Sequence, residues 1–203
     1  MRSVRLVPEW FYGPLQSAGY IYDDYPHSRE SGCAFLRGTI ARCLEQLAES
    51  GVEGDIAELG VAQGCLSRML HAVAPARKLH LFDTFEGMPD LPSHFATSVE
   101  KVAKRIGTKQ NIIFHKGVFP VTAREVLACK FAFVFLDFNL YEPTAEALRF
   151  FWPRIVPNGY LFCHDLHKLD GVRKAIVRWM DETKRIPVVL GDAAGTAIFQ
   201  KGA

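Results

Sequence analysis

The chain has 203 residues, 49% of them hydrophobic and 23% charged, which suits a single domain with a substantial core and excludes a disordered segment. Its 24 Lys and Arg against 22 Asp and Glu leave a formal net charge of +2, dispersed along the chain, so no basic stripe predicts a nucleic-acid partner. The five cysteines, Cys33, Cys43, Cys65, Cys129 and Cys163, include no C-x-x-C pair and predict a reduced, cytoplasmic setting, while neither the amino terminus nor the run Phe131 to Leu136 predicts a secretion signal or membrane span.

Residues 1–30 are aromatic and turn-rich: Trp10, Phe11, Tyr12, Tyr20, Tyr22 and Tyr25 stand among Gly13, Pro14, Gly19 and Pro26, too many turn formers for a long helix. From Glu30 to Ser50, Phe35, Leu36, Ile40, Cys43, Leu44 and Leu47 recur at helical spacing, and Gly51 supplies a stop. Strand-like and helix-like runs then alternate: strand 55–59, helix 64–74, strand 78–83, helix about 93–106, strand 111–115, helix about 121–128, strand 131–137, helix 142–152, strand 159–163 and helix 171–183. The last two runs, near 186–190 and 195–200, have no helix between them and predict an antiparallel hairpin through Gly191 to Gly195. Alternation with short connections predicts an α/β fold, a mostly parallel sheet with helices on both faces. Residues 1–50 are expected to form an amino-terminal extension and helix, a candidate substrate lid, and residues 51–203 the main domain. No internal repeat or low-complexity tract interrupts the pattern.

In such a sheet, ligands collect outside the carboxyl ends of the strands. The first exit reads D-I-A-E-L-G-V-A-Q-G from Asp55 to Gly64, and Asp83 ends the next apolar run, 23 positions after Gly60. A buried strand ending in a glycine turn, followed by a helix whose first amides face the ligand, is a nucleotide-site pattern, and a carboxylate at the neighbouring strand tip can accept both hydroxyls of a ribose. A pyrophosphate site would show G-x-G-x-x-G, whereas this turn carries Ala62 and Cys65 and keeps Glu58 beside it. That composition fits S-adenosylmethionine, whose amino acid tail replaces phosphates and whose cationic end Glu58 can meet through ordered water.

Three further exits carry chemistry: H-K-G-V-F-P at 115–120, F-L-D-F-N-L-Y at 135–141 and F-C-H-D-L-H at 162–167. Asp137 ends the most apolar run of the chain, so its carboxylate needs a partner, a hydrogen bond or a metal. His164, Asp165 and His167 follow a strand expected beside it, and together with Asp137 they form a candidate divalent-metal cluster. Each residue alone reads equally well as a helix cap or surface group.

The stretches D-T-F-E-G-M-P at 83–89, K-G-V-F-P at 116–120, L-D-F-N-L-Y-E-P-T at 136–144 and D-G-V-R-K-A at 170–175 resemble the macrocin O-methyltransferase family, from about Gly51 to the carboxyl terminus. These are S-adenosylmethionine-dependent enzymes that methylate sugar hydroxyls in macrolide and aminocoumarin antibiotics. The resemblance implies a Rossmann-like class I methyltransferase fold, seven strands ordered 3-2-1-4-5-7-6 with the last antiparallel. It implies methionine and ribose contacts at Glu58, Gly60 and Asp83, with Leu59, Gly64 and Thr84 beside them, and adenine contacts at Gly117 and Val118. It also implies a magnesium site with Asp137 as first ligand and His164 and Asp165 as the others. The family usually reads D-G-D-L-Y where this chain has D-F-N-L-Y, and an Asp-Asp pair where it has His164-Asp165. Magnesium prefers oxygen donors, so His164 favours a softer divalent cation or none.

The function expected is methyl transfer to a hydroxyl of a sugar or other small metabolite, with Asp137 and His167 as catalytic candidates and a homodimer as the ordinary assembly. Two alternatives stand beside it: a nicotinamide-linked oxidoreductase, disfavoured by the glycine pattern, and a non-catalytic S-adenosylmethionine-binding protein whose metal site has decayed at Asn139 and His164.

Overall fold

A computed structural model describes residues 34–88, 95–107 and 110–202. The expectations for the aromatic amino terminus, including the lid, lie outside the described residues, as do positions 93 and 94 of the helix expected at about 93–106. Within them the order is α1 (Ala34–Glu49), β1 (Asp55–Leu59), α2 (Cys65–Val73), β2 (Leu79–Asp83), α3 (Val99–Ile106), β3 (Ile112–Lys116), a 3-10 turn (Val121–Val126) and β4 (Phe131–Leu136). There follow α4 (Tyr141–Phe151), a further 3-10 turn (Trp152–Arg154), β5 (Ile155–Cys163), α5 (Asp170–Thr183), β6 (Val188–Val189) and β7 (Ala197–Gln200).

The seven strands form one sheet in the order β3-β2-β1-β4-β5-β7-β6. The first five are parallel to their neighbours, and β7 runs antiparallel to both β5 and β6. This is the expected class I methyltransferase topology. Two buried clusters explain why the strands read as nearly continuous apolar runs. One face packs Leu36, Ile40, Leu44, Met69, Leu70, Val102 and Ile106 of α1, α2 and α3 onto Ile56, Phe133, Phe135 and Phe162. The other packs Leu148, Phe151, Ile176 and Trp179 of α4 and α5 onto Phe82, Phe131, Val134 and Phe199. Because α1 shares the first cluster, residues 34–49 belong to the same core as the sheet.

Boundaries differ from the expected ones where local chemistry overrides periodicity. The run 121–128 is a 3-10 turn over Val121–Val126, because a short segment with β-branched Val121, Thr122 and Val126 nucleates an α-helix poorly. The helix expected from about residue 93 begins at Val99, where the Ser98 hydroxyl accepts a hydrogen bond from the Lys101 amide at 3.2 Å. β5 starts at Ile155 rather than 159: Phe131 pairs with Ile155 and Phe133 with Tyr160, so Pro157, Asn158 and Gly159 bulge out of the ladder. The final hairpin is shorter than predicted on its β6 side.

At the carboxyl end of the sheet the centre strands are drawn very close. Gly60 donates its amide to Phe82 O at 2.9 Å, and the Asp137 amide bonds Leu59 O at 2.8 Å. A Cβ on Gly60, whose φ is +87°, would lie 2.1 Å from the Asp137 carbonyl oxygen. Gly60→Ala is therefore expected to cost about 3 kcal/mol or more, the sum of a left-handed backbone and an overlap that only backbone movement relieves. Urea unfolding of the variant beside wild type measures this, and a loss below about 1 kcal/mol would contradict the close approach.

Candidate active site

Each strand end on this rim turns sharply. After β1, β2, β4 and β5 come Ala62 (φ 46°), Phe85 (φ 56°), Asn139 (φ 62°) and Asp165 (φ 63°), and after β3 comes Gly117 (φ 142°). Left-handed non-glycine residues each cost about 1–3 kcal/mol and gather where strained turns aim side chains at a site. Asn139, which departs from the family pattern, is one of the few residue types that adopts this conformation readily.

The turns surround a cavity of about 560 Å³, lined by the exits of all five parallel strands and closed on one side by Leu36 and Arg37 of α1. That volume lies within the range of small-molecule sites. Of the residues predicted for the cofactor, Glu58, Gly60, Asp83, Thr84, Gly117 and Val118 line it, as do Asp137, His164 and Asp165. Leu59 does not; it is fully buried and takes part through its carbonyl. Gly64 also stays out of the lining and instead lets α2 approach α3, since a Cβ there would lie 2.7 Å from Val102 Cγ1. His167 is exposed and lies outside the cavity, its ring against Gly195, where an added Cβ would sit 2.4 Å from Nδ1.

Asp83 fastens two of these turns together. Its Oδ2 accepts the amides of Val61 at 2.8 Å and Ala62 at 3.0 Å, and its Oδ1 accepts that of Phe85 at 2.8 Å. The carboxylate thus shapes the β1 loop as well as facing the cavity. Glu58 is buried one residue before the end of β1, and its Oε2 accepts the Ser67 hydroxyl at 2.6 Å. Burial holds its pKa well above the ordinary carboxylate range, against the Ser67 bond, with further upward pushes from Asp137 and Asp83.

Asp137 is half-buried at the tip of β4. Burial lifts its pKa from 3.8 to about 6, opposed by His164, reinforced by Asp165 and opposed again by Lys168. Next to it, His164 is anchored by a relay absent from the sequence expectations. The Thr196 hydroxyl donates to Asp192 Oδ2 at 2.8 Å, and the Thr196 amide donates to Asp192 Oδ1 at 2.8 Å. With its proton committed, Thr196 Oγ can only accept from His164 Nδ1, which lies 2.9 Å away. His164 therefore keeps its proton on Nδ1, which leaves Nε2, 3.7 Å from Asp165 Oδ1, as the ring's acceptor atom. The segment G-D-A-A-G-T at 191–196 held this signal, since an Asp four residues before a Thr is a common side-chain cap of a turn.

The expected metal trio is not gathered as a cage. Asp137, His164 and Asp165 share the cavity wall, yet among the described residues the three side chains whose ligand atoms all lie within 4.8 Å of one another are Asp55, His80 and Cys129 instead. The imidazole also departs from the all-oxygen set that magnesium prefers, and Asn139 offers a neutral carbonyl oxygen where the family pattern has a carboxylate.

Residues 57–166 match a methyltransferase domain family. Among curated proteins, the 8-demethyl-8-(2,3-dimethoxy-alpha-L-rhamnosyl)-tetracenomycin-C 4'-O-methyltransferase of Streptomyces olivaceus is 31% identical over 66% of this chain and 60% of its own length. The mycinamicin III 3''-O-methyltransferase of Micromonospora griseorubida is 24% identical over 78% of this chain and 73% of its own. The first match thus spans under two thirds of that relative. Among solved structures, the O-methyltransferase NovP superposes with a TM-score of 0.75 at 19% identity, over 93% of this chain and 88% of the other, a likeness of fold. No helix among the described residues is long and apolar enough to cross a membrane. With the matched segment running from β1 through the exit of β5, and so through most of the cavity rim, the chain belongs to this methyltransferase domain family.

Proposed function

We propose that the chain is an S-adenosylmethionine-dependent O-methyltransferase acting on a hydroxyl of a sugar or other small secondary metabolite. The observation that carries this reading is the acidic floor of the cavity: Glu58, Asp83, Asp137 and Asp165 all line it. Such a floor suits a cationic ligand and repels a diphosphate, which argues against a nicotinamide dinucleotide. Glu58 and Asp137, both with raised pKa values, regain favourable ionisation when a positive charge arrives. Family membership and the curated relatives, each named for O-methylation of an antibiotic, point to the same chemistry.

In this reading Asp83 holds the ribose, Glu58 the methionine end, and Gly117 and Val118 border the adenine. Bound there, the cofactor supplies an electrophilic methyl group on sulfur. The acceptor then occupies the side of the cavity bounded by Asp137, Asn139, His164 and Asp165. Deprotonating an alcohol about 7 pKa units above ambient pH costs roughly 9–10 kcal/mol. A general base contributes roughly 3–5 kcal/mol, and holding the reactants in line about 7–11 kcal/mol, so positioning carries more than the base does. Asp137 orients the acceptor hydroxyl, and its proton passes to Asp137 or to His164 Nε2, whose tautomer the Thr196–Asp192 relay sets. His167, facing Gly195, has no part in this step. The proton path uses these side chains alone.

Two measurements test the assignment. Asp83→Asn is expected to weaken S-adenosylhomocysteine about 10–100-fold in calorimetry, because the Val61, Ala62 and Phe85 amides leave the carboxylate about one acceptor position for a ribose hydroxyl and one charge-assisted hydrogen bond is worth about 1.5–3 kcal/mol. Unchanged affinity would remove the ribose role.

Asp137→Asn is expected to keep S-adenosylhomocysteine affinity within about threefold and to lose at least about 100-fold in kcat. It also carries a stability signature. A carboxyl raised from 3.8 to about 6 is protonated in both folded and unfolded chains below pH 3.8, so it has no effect there. As pH climbs towards 6 the unfolded chain ionises first, and wild type loses up to about 3 kcal/mol relative to its acid-side stability. The Asn variant should escape that loss, so its stability relative to wild type rises between pH 4 and pH 7 in denaturant unfolding. A flat difference across that window would show that Asp137 is not held in this environment.

A further inference from the structure

A second polar cluster lies at the other end of the sheet, where the strands begin. Asp55 opens β1, His80 is the second residue of β2, and Cys129 sits in the turn before β4. The Asp55 amide bonds Lys130 O at 2.9 Å, which draws that turn against the start of β1. One ligand atom each from Asp55, His80 and Cys129 lies within 4.8 Å of the other two. Behind them runs a line of hydrogen-bonded groups: Asp55 Oδ2 is 3.1 Å from His80 Nε2, His80 Nδ1 is 2.9 Å from His115 Nε2, and His115 Nδ1 is 2.6 Å from Glu125 Oε2. Both imidazoles are buried.

Counting protons along this line exposes a deficit. Carboxylates only accept, so His80 must present N–H to Asp55 from Nε2, and His115 must present N–H to Glu125 from Nδ1. Two neutral imidazoles have then spent their protons, and His80 Nδ1 faces His115 Nε2 with two lone pairs at 2.9 Å. One additional positive charge is required along the line, either a proton between the two rings or a cation at its Asp55 end. A metal ion on His80 Nε2 meets the requirement: His80 then carries its proton on Nδ1 and donates to His115 Nε2, and His115 donates from Nδ1 to Glu125. Every bond is satisfied with neutral rings. A ligating histidine whose other nitrogen donates to an outer partner is the usual arrangement in metal sites.

We propose that Asp55, His80 and Cys129 bind a zinc-class divalent ion, with His115 and Glu125 as its outer hydrogen-bonded partners. The donor set of one carboxylate, one imidazole and one thiolate suits zinc and cobalt and excludes magnesium and calcium, which take oxygen. The 3.1 Å between Asp55 Oδ2 and His80 Nε2 is near the ~3.3 Å that two ligands at about 2.0–2.1 Å span around a tetrahedral ion. Asp55 and Cys129 are partly exposed, leaving a path for the ion and a fourth position for water. Binding replaces the Cys129 thiol proton, which leaves to solvent, with a sulfur–metal bond. The site lies a strand's length from the cavity, so the ion fastens β1, β2 and the β3–β4 connection and takes no part in the reaction.

The test uses the full chain freed of metal by a chelator and then given zinc or cobalt alone. Wild type is expected to bind one equivalent, to rise in Tm with zinc, and with cobalt to show a near-ultraviolet thiolate charge-transfer band. Cys129→Ser should lose that band and weaken zinc at least about tenfold, Glu125→Gln should keep the band and weaken zinc about 10–100-fold, and Asp137→Asn should leave both unchanged. Independently of any variant, zinc should slow iodoacetamide alkylation of Cys129 in wild type at least about tenfold by peptide mass spectrometry, as expected for a metal-bound thiolate. No band and no protection of Cys129 at tenfold excess metal overturns the proposal, as does a band that survives in Cys129→Ser; the missing charge would then be a proton shared by the two histidines.

Discussion

The contact between Gly60 and the Asp137 carbonyl sets the geometry of everything above it. β1 ends where any side chain at residue 60 would overlap the backbone of residue 137, so the loop after β1 and the Asp137 carboxylate, proposed to face cofactor and acceptor respectively, are fixed within one backbone thickness. Parallel pairing of β1 with β4 enforces this, and the amide of Asp137 on Leu59 O and that of Gly60 on Phe82 O extend the ladder on both flanks. The proposed methyl transfer requires two reactants at near-contact distance in a defined line, and a rigid junction between the two proposed binding surfaces would provide that without a moving part. Asp83 does for the loop what Gly60 does for the strand: three backbone amides on one carboxylate hold the β1 and β2 turns in a single arrangement.

Burying several carboxyl groups on one rim disfavours the folded state, and the raised pKa values of Glu58 and Asp137 are the measure of that tension. In the proposed reaction the sulfonium and ammonium of the cofactor relieve it, and once the methyl group has left, the sulfur is neutral and part of the attraction is gone. An acidic floor thereby favours the substrate form of the cofactor over its product. The same electrostatics make Asp137 a stronger base than a solvated aspartate, because a carboxylate whose pKa is about 6 holds a proton more firmly than one at 3.8.

The alternation of apolar runs made the sheet and the faces of its helices legible, because parallel strands buried on both sides have little choice of residue. The placement of Glu58, Gly60 and Asp83 on the cavity was legible too, since it follows from strand-end position and spacing. His164 was visible only as a candidate ligand; its tautomer depends on Thr196 and Asp192, which are distant in sequence and reach it through the antiparallel pairing of β5 with β7. His167 looked equivalent to His164 in the sequence, but the chain turns at Asp165 in a left-handed conformation, which sends the two rings to different sides. The helix expected at 121–128 failed for a local reason, a short β-branched segment after Pro120. Asn139 looked like a decayed ligand, yet its backbone conformation gives that position a structural reason for asparagine.

The amino and carboxyl ends of the strands divide the polar work of the sheet. Between them the strand interiors are almost wholly apolar, and Phe82 stacks on His115 with ring centroids 4.2 Å apart, so the buried histidines pack as part of the aromatic core while serving the polar line at its edge. His80 in turn meets Phe131 edge-on at 5.5 Å. The two histidines lie in β2 and β3, the strands whose far ends carry Asp83 and Gly117. β3 is one of the sheet's two edge strands, with a ladder on one side alone, and the bonds of His115 to His80 and Glu125 give it a second attachment. Holding that strand at His115, one residue before its carboxyl end, keeps the register on which the position of Gly117 at the cavity depends, since Asp83 pairs with Lys116 and its carbonyl accepts the Gly117 amide at 3.0 Å.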